Sequence, residues 1–231
     1  MRVIGLIGGV SWNSSIEYYR IINELVGSQL GGFHSARMLL YSVDFDEVED
    51  ARRSADWGRV GDTLAKAGAS LENAGAELLA ICSNTMHRVA DRVAQETNIP
   101  LLHIVDVIGN AARNSGLGRL GLLGTESVMQ EGFYQEKLKD DFGIDTLVPP
   151  KDEQDVVNRV IYDELCHGKI IDSSRLACLE IIRALGERGA EGVILGCTEL
   201  PLLIQPFDTE MPVLDTTRLH AAEIVVRALE P

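Results

Sequence analysis

Basic residues are scarce in this 231-residue chain. Lys and Arg number 21 against 35 Asp and Glu, a formal net charge of −14. Nucleic acid and anionic membrane surfaces both call for basic patches, so neither is expected as a partner. Lysines occur only at Lys66, Lys137, Lys139, Lys151 and Lys169. None stands at a predicted strand end, which argues against a Schiff-base cofactor. The four cysteines (Cys82, Cys166, Cys178 and Cys197) show no C-x-x-C pair and no metal-ligand spacing. No bound metal is expected, and a reducing, cytoplasmic compartment is. No apolar run approaches the ~20 residues of a membrane helix. Met1-Arg2 leads into a predicted strand rather than a secretory leader. Gly8-Gly9 lacks the G-x-G-x-x-G spacing of a dinucleotide turn, and no P-loop pattern occurs. With 45% hydrophobic and 24% charged residues, the chain has the makings of one large or two small globular domains.

What is present is a repeated alternation of short apolar strands and amphipathic helices. Arg2 to Ile7 predicts a buried strand, with Gly8-Gly9-Val10-Ser11 as a tight turn into a helix that Ser11 or Asn13 could cap. Ile16, Tyr19 and Ile22 predict the buried face of that helix. Further strands are predicted over Ala36 to Val43, Leu78 to Cys82 and Leu101 to Val105. Between them, Asp44 to Arg53 reads as an acidic loop or short helix, Val60 to Leu71 as a helix, and a third helix follows Asn84-Thr85. The pattern then restarts. Strands are predicted at Leu120 to Gly124 and Thr146 to Val148, a strand and turn over Gly189 to Cys197, and helices from about Ser127 to Phe142, Val156 to Leu165, Leu176 to Leu185 and Thr216 to Leu229.

Three echoes connect the two stretches. Ile4-Gly5-Leu6-Ile7-Gly8 matches Leu120-Gly121-Leu122-Leu123-Gly124, an offset of 116. Gly75-Ala76-Glu77 matches Gly189-Ala190-Glu191, an offset of 114. Ile99-Pro100-Leu101 matches Met211-Pro212-Val213, an offset of 112. Each echo is short, but their order is the same. They predict two pseudo-symmetric α/β domains, each a small, mostly parallel sheet flanked by helices. Ligands of such sheets bind beyond the carboxyl ends of the strands, so an active site is expected in the interdomain cleft. The 114-residue offset sets Ser83 opposite Cys197 and Asn84 opposite Thr198.

Two opposed groups of this kind suit a reaction that removes a proton from one face of a carbon and returns it to the other. A thiol serves when a helix N-terminus lowers its pKa from the ordinary ~8.5. Thr85, Thr198, Asn84 and backbone N–H groups would hold a carboxylate, and Arg52 or Arg53 would help make an anion site within an acidic protein.

The segments Ile4 to Trp12, Cys82-Ser83-Asn84-Thr85-Met86-His87 and Gly196-Cys197-Thr198-Glu199-Leu200 resemble those of the cofactor-independent aspartate/glutamate racemases, and the resemblance covers nearly the whole chain. It implies no PLP and no metal, an acidic amino acid as the small-molecule partner, commonly a homodimer, and a C-terminal helix that packs on the first domain, so that the domains comprise residues 1–104 plus 212–231 and residues 105–211. It implies Cys197 and Ser83 as the catalytic pair. Val10, Ser11, Arg52, Asn84, Thr85, Glu164, Thr198 and Glu199 would line the substrate. Lys169 lies in the same implied segment as Glu164.

One departure stands out. The family usually has a cysteine just before Asn-Thr, and here that position is Ser83, with Cys82 one place earlier. A one-residue step along a strand turns a side chain to the other face, so Cys82 is expected to point away. The chain is most similar to the branch specific for L-aspartate and L-glutamate, in which a hydroxyl residue stands there.

Blander roles compete with these. Ser83, Asn84 and Thr85 could simply cap a helix, and Glu199 could cap one or orient Cys197. Cys197 could be an inert buried thiol, and Arg52-Arg53 a solvated face. Cys166 and Cys178 read as structural. His87 and His103 read equally as local hydrogen-bonding residues and as catalytic ones. Other functions of the superfamily, such as maleate isomerase, hydantoin racemase or arylmalonate decarboxylase, share these motifs. A binding protein that closes on a small acid without chemistry is the alternative from another class.

Overall fold

In a computed structural model, which describes residues 1–230, the first half of the chain runs β1 (Ile4–Gly8), α1 (Trp12–Leu30), β2 (Met38–Ser42), α2 (Phe45–Arg53), α3 (Trp57–Asn73), β3 (Leu78–Ile81), α4 (Ala90–Glu96) and β4 (Leu101–Leu102). The second half runs α5 (Ile104–Asn114), β5 (Arg119–Gly124), α6 (Glu126–Gln130), α7 (Phe133–Phe142), β6 (Asp145–Leu147), α8 (Lys151–Arg159), α9 (Asp172–Glu187), β7 (Gly192–Gly196), α10 (Leu200–Leu203), β8 (Val213–Asp215) and α11 (Thr216–Leu229).

Two four-stranded sheets result, with orders β2-β1-β3-β4 and β6-β5-β7-β8, and every pairing is parallel. The registers repeat as well. Ile4 pairs with Leu78 as Leu120 pairs with Gly192. Leu79 pairs with Leu101 as Val193 pairs with Val213. The collinear echoes therefore mark equivalent strands. β1, β3 and β7 are buried along their whole length, as parallel strands covered on both faces must be.

The chain divides into two compact units, Met1–Ile104 together with the chain from His220 onward, and Val105–Leu219. In the first unit, α2, α3 and the segment after β3 cover one face of the sheet around Ile7, Leu79 and Ile81. α1 and the later turns of α11 cover the other face, where Tyr18, Ile22, Ala221, Ile224 and Val225 pack on Ile4, Leu6 and Ala80. The Arg2 N–H also donates to the Ala228 carbonyl at 2.8 Å. The return to this unit begins at His220 rather than at residue 212, because Val213–Asp215 is hydrogen-bonded to β7 in the second sheet. In the second unit, Val157, Val160, Ile161, Ile182 and Leu185 form the core against Leu123, Val193 and Leu195.

Some local expectations fail for physical reasons. The predicted strand to Val105 stops at Leu102, and α5 starts at Ile104. Ile104, Val105, Ile108 and Ala112 are buried, a helical spacing that the apolar run concealed. On α1 the buried face is Ser14, Tyr18, Ile21, Ile22 and Val26, while Ile16 and Tyr19 are exposed. The helix predicted to Leu165 leaves α-geometry after Arg159 and passes through a π-turn over Val160–Glu164.

Ile224 is fully buried in the segment of α11 that joins the first unit. Ile224→Ala is expected to lower stability by roughly 2–5 kcal/mol. An unchanged urea midpoint would show that this return contributes nothing to the first core.

Candidate active site

The first unit presents two turns at the carboxyl edge of its sheet. After β1, Gly9 takes φ +91 with the Val43 backbone close against it, a position that only glycine fills without strain. The Gly9 N–H donates to Ser15 Oγ (2.9 Å), and the Ser15 hydroxyl donates to the Ser11 carbonyl (3.4 Å). Val10 and Ser11 are thereby held in a buried turn. Ser11 flanks α1 without a side-chain capping bond.

After β3, the Cys82 N–H continues the ladder to the Ile7 carbonyl (2.9 Å). Its side chain lies in the cluster with Ile4, Leu6 and Ala80. Burial pushes that thiol far above its ordinary pKa. Ser83, Asn84 and Thr85 follow, all buried. A tight 3-10 turn over Thr85–Val89 precedes α4. The Met86 N–H donates to Ser83 Oγ at 3.4 Å, so Ser83 does cap this turn, and the Asn84 side chain does not. No imidazole or carboxylate hydrogen-bonds Ser83 Oγ among the described residues.

Arg52 lies on α2, where it forms a two-pronged ion pair with Glu49 (Nε–Oε2 and Nη2–Oε1, both 2.7 Å). Arg53 Nε donates to the same carboxylate at 3.1 Å. Glu49 is buried, so the pair of arginines compensates its charge. Two of the donors expected to face an anion are thus held by the protein's own carboxylate.

In the second unit the equivalent turn carries Cys197, Thr198 and Glu199, all buried. The Cys197 thiol donates to Glu199 Oε2 (3.1 Å), and the Thr198 hydroxyl donates to the same oxygen (2.7 Å). Glu199 makes no capping bond to α10 and instead orients the thiol. The expected depression of the thiol pKa does not occur. Burial, followed by the negative charge of Glu199, holds Cys197 well above its ordinary value. The helix that follows has only four residues, too few for the aligned dipoles that would favour a thiolate. Burial therefore favours the protonated thiol, which is hydrogen-bonded to the Glu199 side chain.

Glu164 ends the π-turn and is buried. Its Oε1 lies 3.5 Å from Arg159 Nη1, and its Oε2 is buried without a hydrogen-bond partner. An oxygen in that state suits a cationic group such as an ammonium. Lys169 donates its backbone N–H to the Glu164 carbonyl (2.9 Å).

Val10, Ser11, Ser83, Asn84 and Thr85 therefore share the carboxyl edge of the first sheet, with Arg52 on the helix after β2. Cys197, Thr198 and Glu199 share the equivalent edge of the second sheet, with Glu164 on a π-turn of the same unit. No group of three or more His, Cys, Asp or Glu able to hold a metal occurs among the described residues. No helix of the described residues is long and apolar enough to cross a membrane.

Of one polar cluster the sequence points only to His87 and His103, not to Tyr18 and His220. His87 Nδ1 lies 2.6 Å from the Ser83 carbonyl, which can only accept, so Nδ1 carries the hydrogen. By the same argument His220 donates from Nε2 to the Leu102 carbonyl (3.1 Å) and accepts the Tyr18 hydroxyl on Nδ1 (2.8 Å). The His87 ring is 4.8 Å from that of His103 and 5.6 Å from that of His220. Tyr18 stands one place from Tyr19 and was hidden by the choice of helix face. His220 is distant in sequence and gave no signal.

A family model described as Asp/Glu/Hydantoin racemase matches residues 7–224. The chain is 45% identical to a Yersinia pestis protein named as a candidate Asp/Glu racemase, whose crystal structure superposes with a TM-score of 0.93 over 100% of both chains. It is 33% identical to an aspartate racemase homologue from Pyrococcus horikoshii, with a TM-score of 0.88 over 100% of both chains. It is 23% identical over 96% of each chain to the broad specificity amino-acid racemase RacX of Bacillus subtilis.

The buried histidines make stability depend on pH. Burial, then the nearby His87, lowers His220 from 6.5 to about 3, and burial, then His103, lowers His87 well below 6.5. Below pH 6.5 the unfolded chain takes up protons that the folded protein refuses, so stability is greatest above 6.5 and declines as pH falls toward 3. His220 contributes about 1.4 kcal/mol of loss per pH unit in that window. His220→Gln, which cannot charge, is expected to flatten the fall in urea midpoint between pH 6.5 and about 4.5. Equal slopes in the two proteins would refute the assignment.

Proposed function

Because the chain belongs to the Asp/Glu/hydantoin racemase family, we infer that it is an amino-acid racemase acting on L-aspartate or L-glutamate. The observation that carries this reading is the Cys197–Glu199 hydrogen bond at the carboxyl end of β7, at the position equivalent to Ser83 beyond β3. Glu199 is the proton acceptor within hydrogen-bond reach of the thiol, and because burial raises the thiol pKa this transfer is uphill. Transfer of the Cys197 proton to Glu199 leaves a thiolate, the form that can remove a proton from Cα. The C–H electron pair stays on the substrate as an enolate-like carbanion. A proton delivered to the opposite face then completes inversion, and Ser83 is the group proposed to deliver it.

The surroundings of the two groups predict unequal performance. Cys197 has Glu199 as its proton partner. Ser83 Oγ has only the Met86 N–H at 3.4 Å. A hydroxyl lacking a base is a weak acid and a weaker base. In the L-to-D direction Ser83 need only give a proton and regain one from water. In the reverse direction it would have to remove the Cα proton, so kcat is expected to be lower for the D-enantiomer, whereas kcat/KM is equal in the two directions because enantiomers are equally stable. Asn84, Thr85 and Thr198 are proposed to hold the substrate carboxylates, and the unpaired Glu164 Oε2 its ammonium. Each of these is a proton transfer or a polar contact, so the proposed reaction calls for no cofactor.

Proton NMR in D₂O with each enantiomer of aspartate and glutamate is the direct test. Loss of the Cα signal of an L-acid with inversion is expected, and Cys197→Ala is expected to abolish it. No exchange from any of the four acids would overturn the assignment. Ser83→Cys places a thiol where the hydroxyl stands and is expected to raise turnover of the D-enantiomer by about tenfold or more. Unchanged D-turnover would remove Ser83 from the second face.

A further inference from the structure

His87 is an expensive way to fill a core position. It is 3% exposed, held neutral, and its Nε2 is buried with no hydrogen-bond partner. An apolar side chain of similar size would leave no orphaned lone pair. What such a side chain could not supply is the Nδ1–H···O bond to the Ser83 carbonyl, the short 2.6 Å contact inside the Ser83–Thr85 turn.

The rings around His87 restrict how it can turn. His220 is fully buried, and both of its nitrogens are engaged, one by the Tyr18 hydroxyl at 2.8 Å and one by the Leu102 carbonyl at 3.1 Å. Its ring meets that of His87 edge to face at 5.6 Å. His103, just beyond β4, also meets His87 edge to face, at 4.8 Å. Elements distant in sequence, α1, β4 and α11, thus converge around one imidazole, whose 2.6 Å bond goes to the Ser83 carbonyl.

We propose that His87 is a positioning residue that sets the Ser83–Asn84–Thr85 turn through its bond to the Ser83 carbonyl, with His220, Tyr18 and His103 holding its ring. The claim rests on the racemase reading for its kinetic consequence, but not for its structural one. His87 touches no reacting atom. Its role is to fix the direction in which Ser83 Oγ points, and small errors in such a direction are costly in rate.

The test compares His87→Leu with His87→Asn, whose amide can place a donor where Nδ1 stands. Hydrogen–deuterium exchange of a peptide spanning residues 82–89 is expected to quicken about tenfold or more in His87→Leu and to recover in His87→Asn. At saturating L-substrate, Cα exchange through Cys197 is expected to stay within about twofold of wild type in His87→Leu, while inversion falls by about tenfold or more and recovers in His87→Asn. A purely space-filling role would lower exchange and inversion together and would not be rescued by asparagine. Unchanged exchange of the peptide in His87→Leu would overturn the proposal. Absence of Cα exchange in the wild type, with the peptide result intact, would overturn the racemase reading and leave the positioning role standing.

Discussion

Parallel pairing through β1–β3 and β5–β7 is the constraint on which the arrangement of polar groups depends. Strands covered on both faces leave no room for polar side chains along their length. β1, β3 and β7 are buried throughout, and polar residues gather immediately past their carboxyl ends. Gly9-Val10-Ser11 follows β1, Ser83-Asn84-Thr85 follows β3 after Cys82, and Cys197-Thr198-Glu199 follows β7. Because each sheet is parallel, such residues lie along one edge. Polar side chains are concentrated there because the buried strands exclude them elsewhere.

Burial then sets the electrostatics of those edges. Glu49 is buried and compensated by Arg52 and Arg53. Glu199 is buried and accepts hydrogen bonds from Cys197 and Thr198. His87 and His220 are buried and kept neutral. Glu164 retains one oxygen without a partner. Among these groups it is the carboxylate best placed to reward a cationic guest, since the desolvation of that oxygen is already complete.

The two units have the same strand order and register but differ where the reaction is proposed to occur. At one strand end a thiol is coupled to a carboxylate. At the equivalent position a hydroxyl serves a backbone N–H, and the adjacent carbonyl takes an imidazole. Duplication supplies matched positions, and the side chains standing there decide what each position can do.

Much of this was legible in the chain itself. Short apolar runs ended by glycine, repeated in order at offsets of 116, 114 and 112, were enough for two parallel α/β units and for the equivalence of Ser83 and Cys197. Period-two geometry was enough to turn Cys82 from the edge, and its side chain does lie among Ile4, Leu6 and Ala80. Tertiary structure decided the rest, because the deciding interactions are non-local. The end of β4 depended on what packed against Ile104. The rise of the Cys197 pKa came first from burial and then from Glu199, and burial is not written in a strand-end motif. Whether Glu199 capped a helix or held a thiol was a matter of side-chain direction. The histidine cluster joins Tyr18, His87, His103 and His220, residues up to 202 positions apart that only the folded chain brings together.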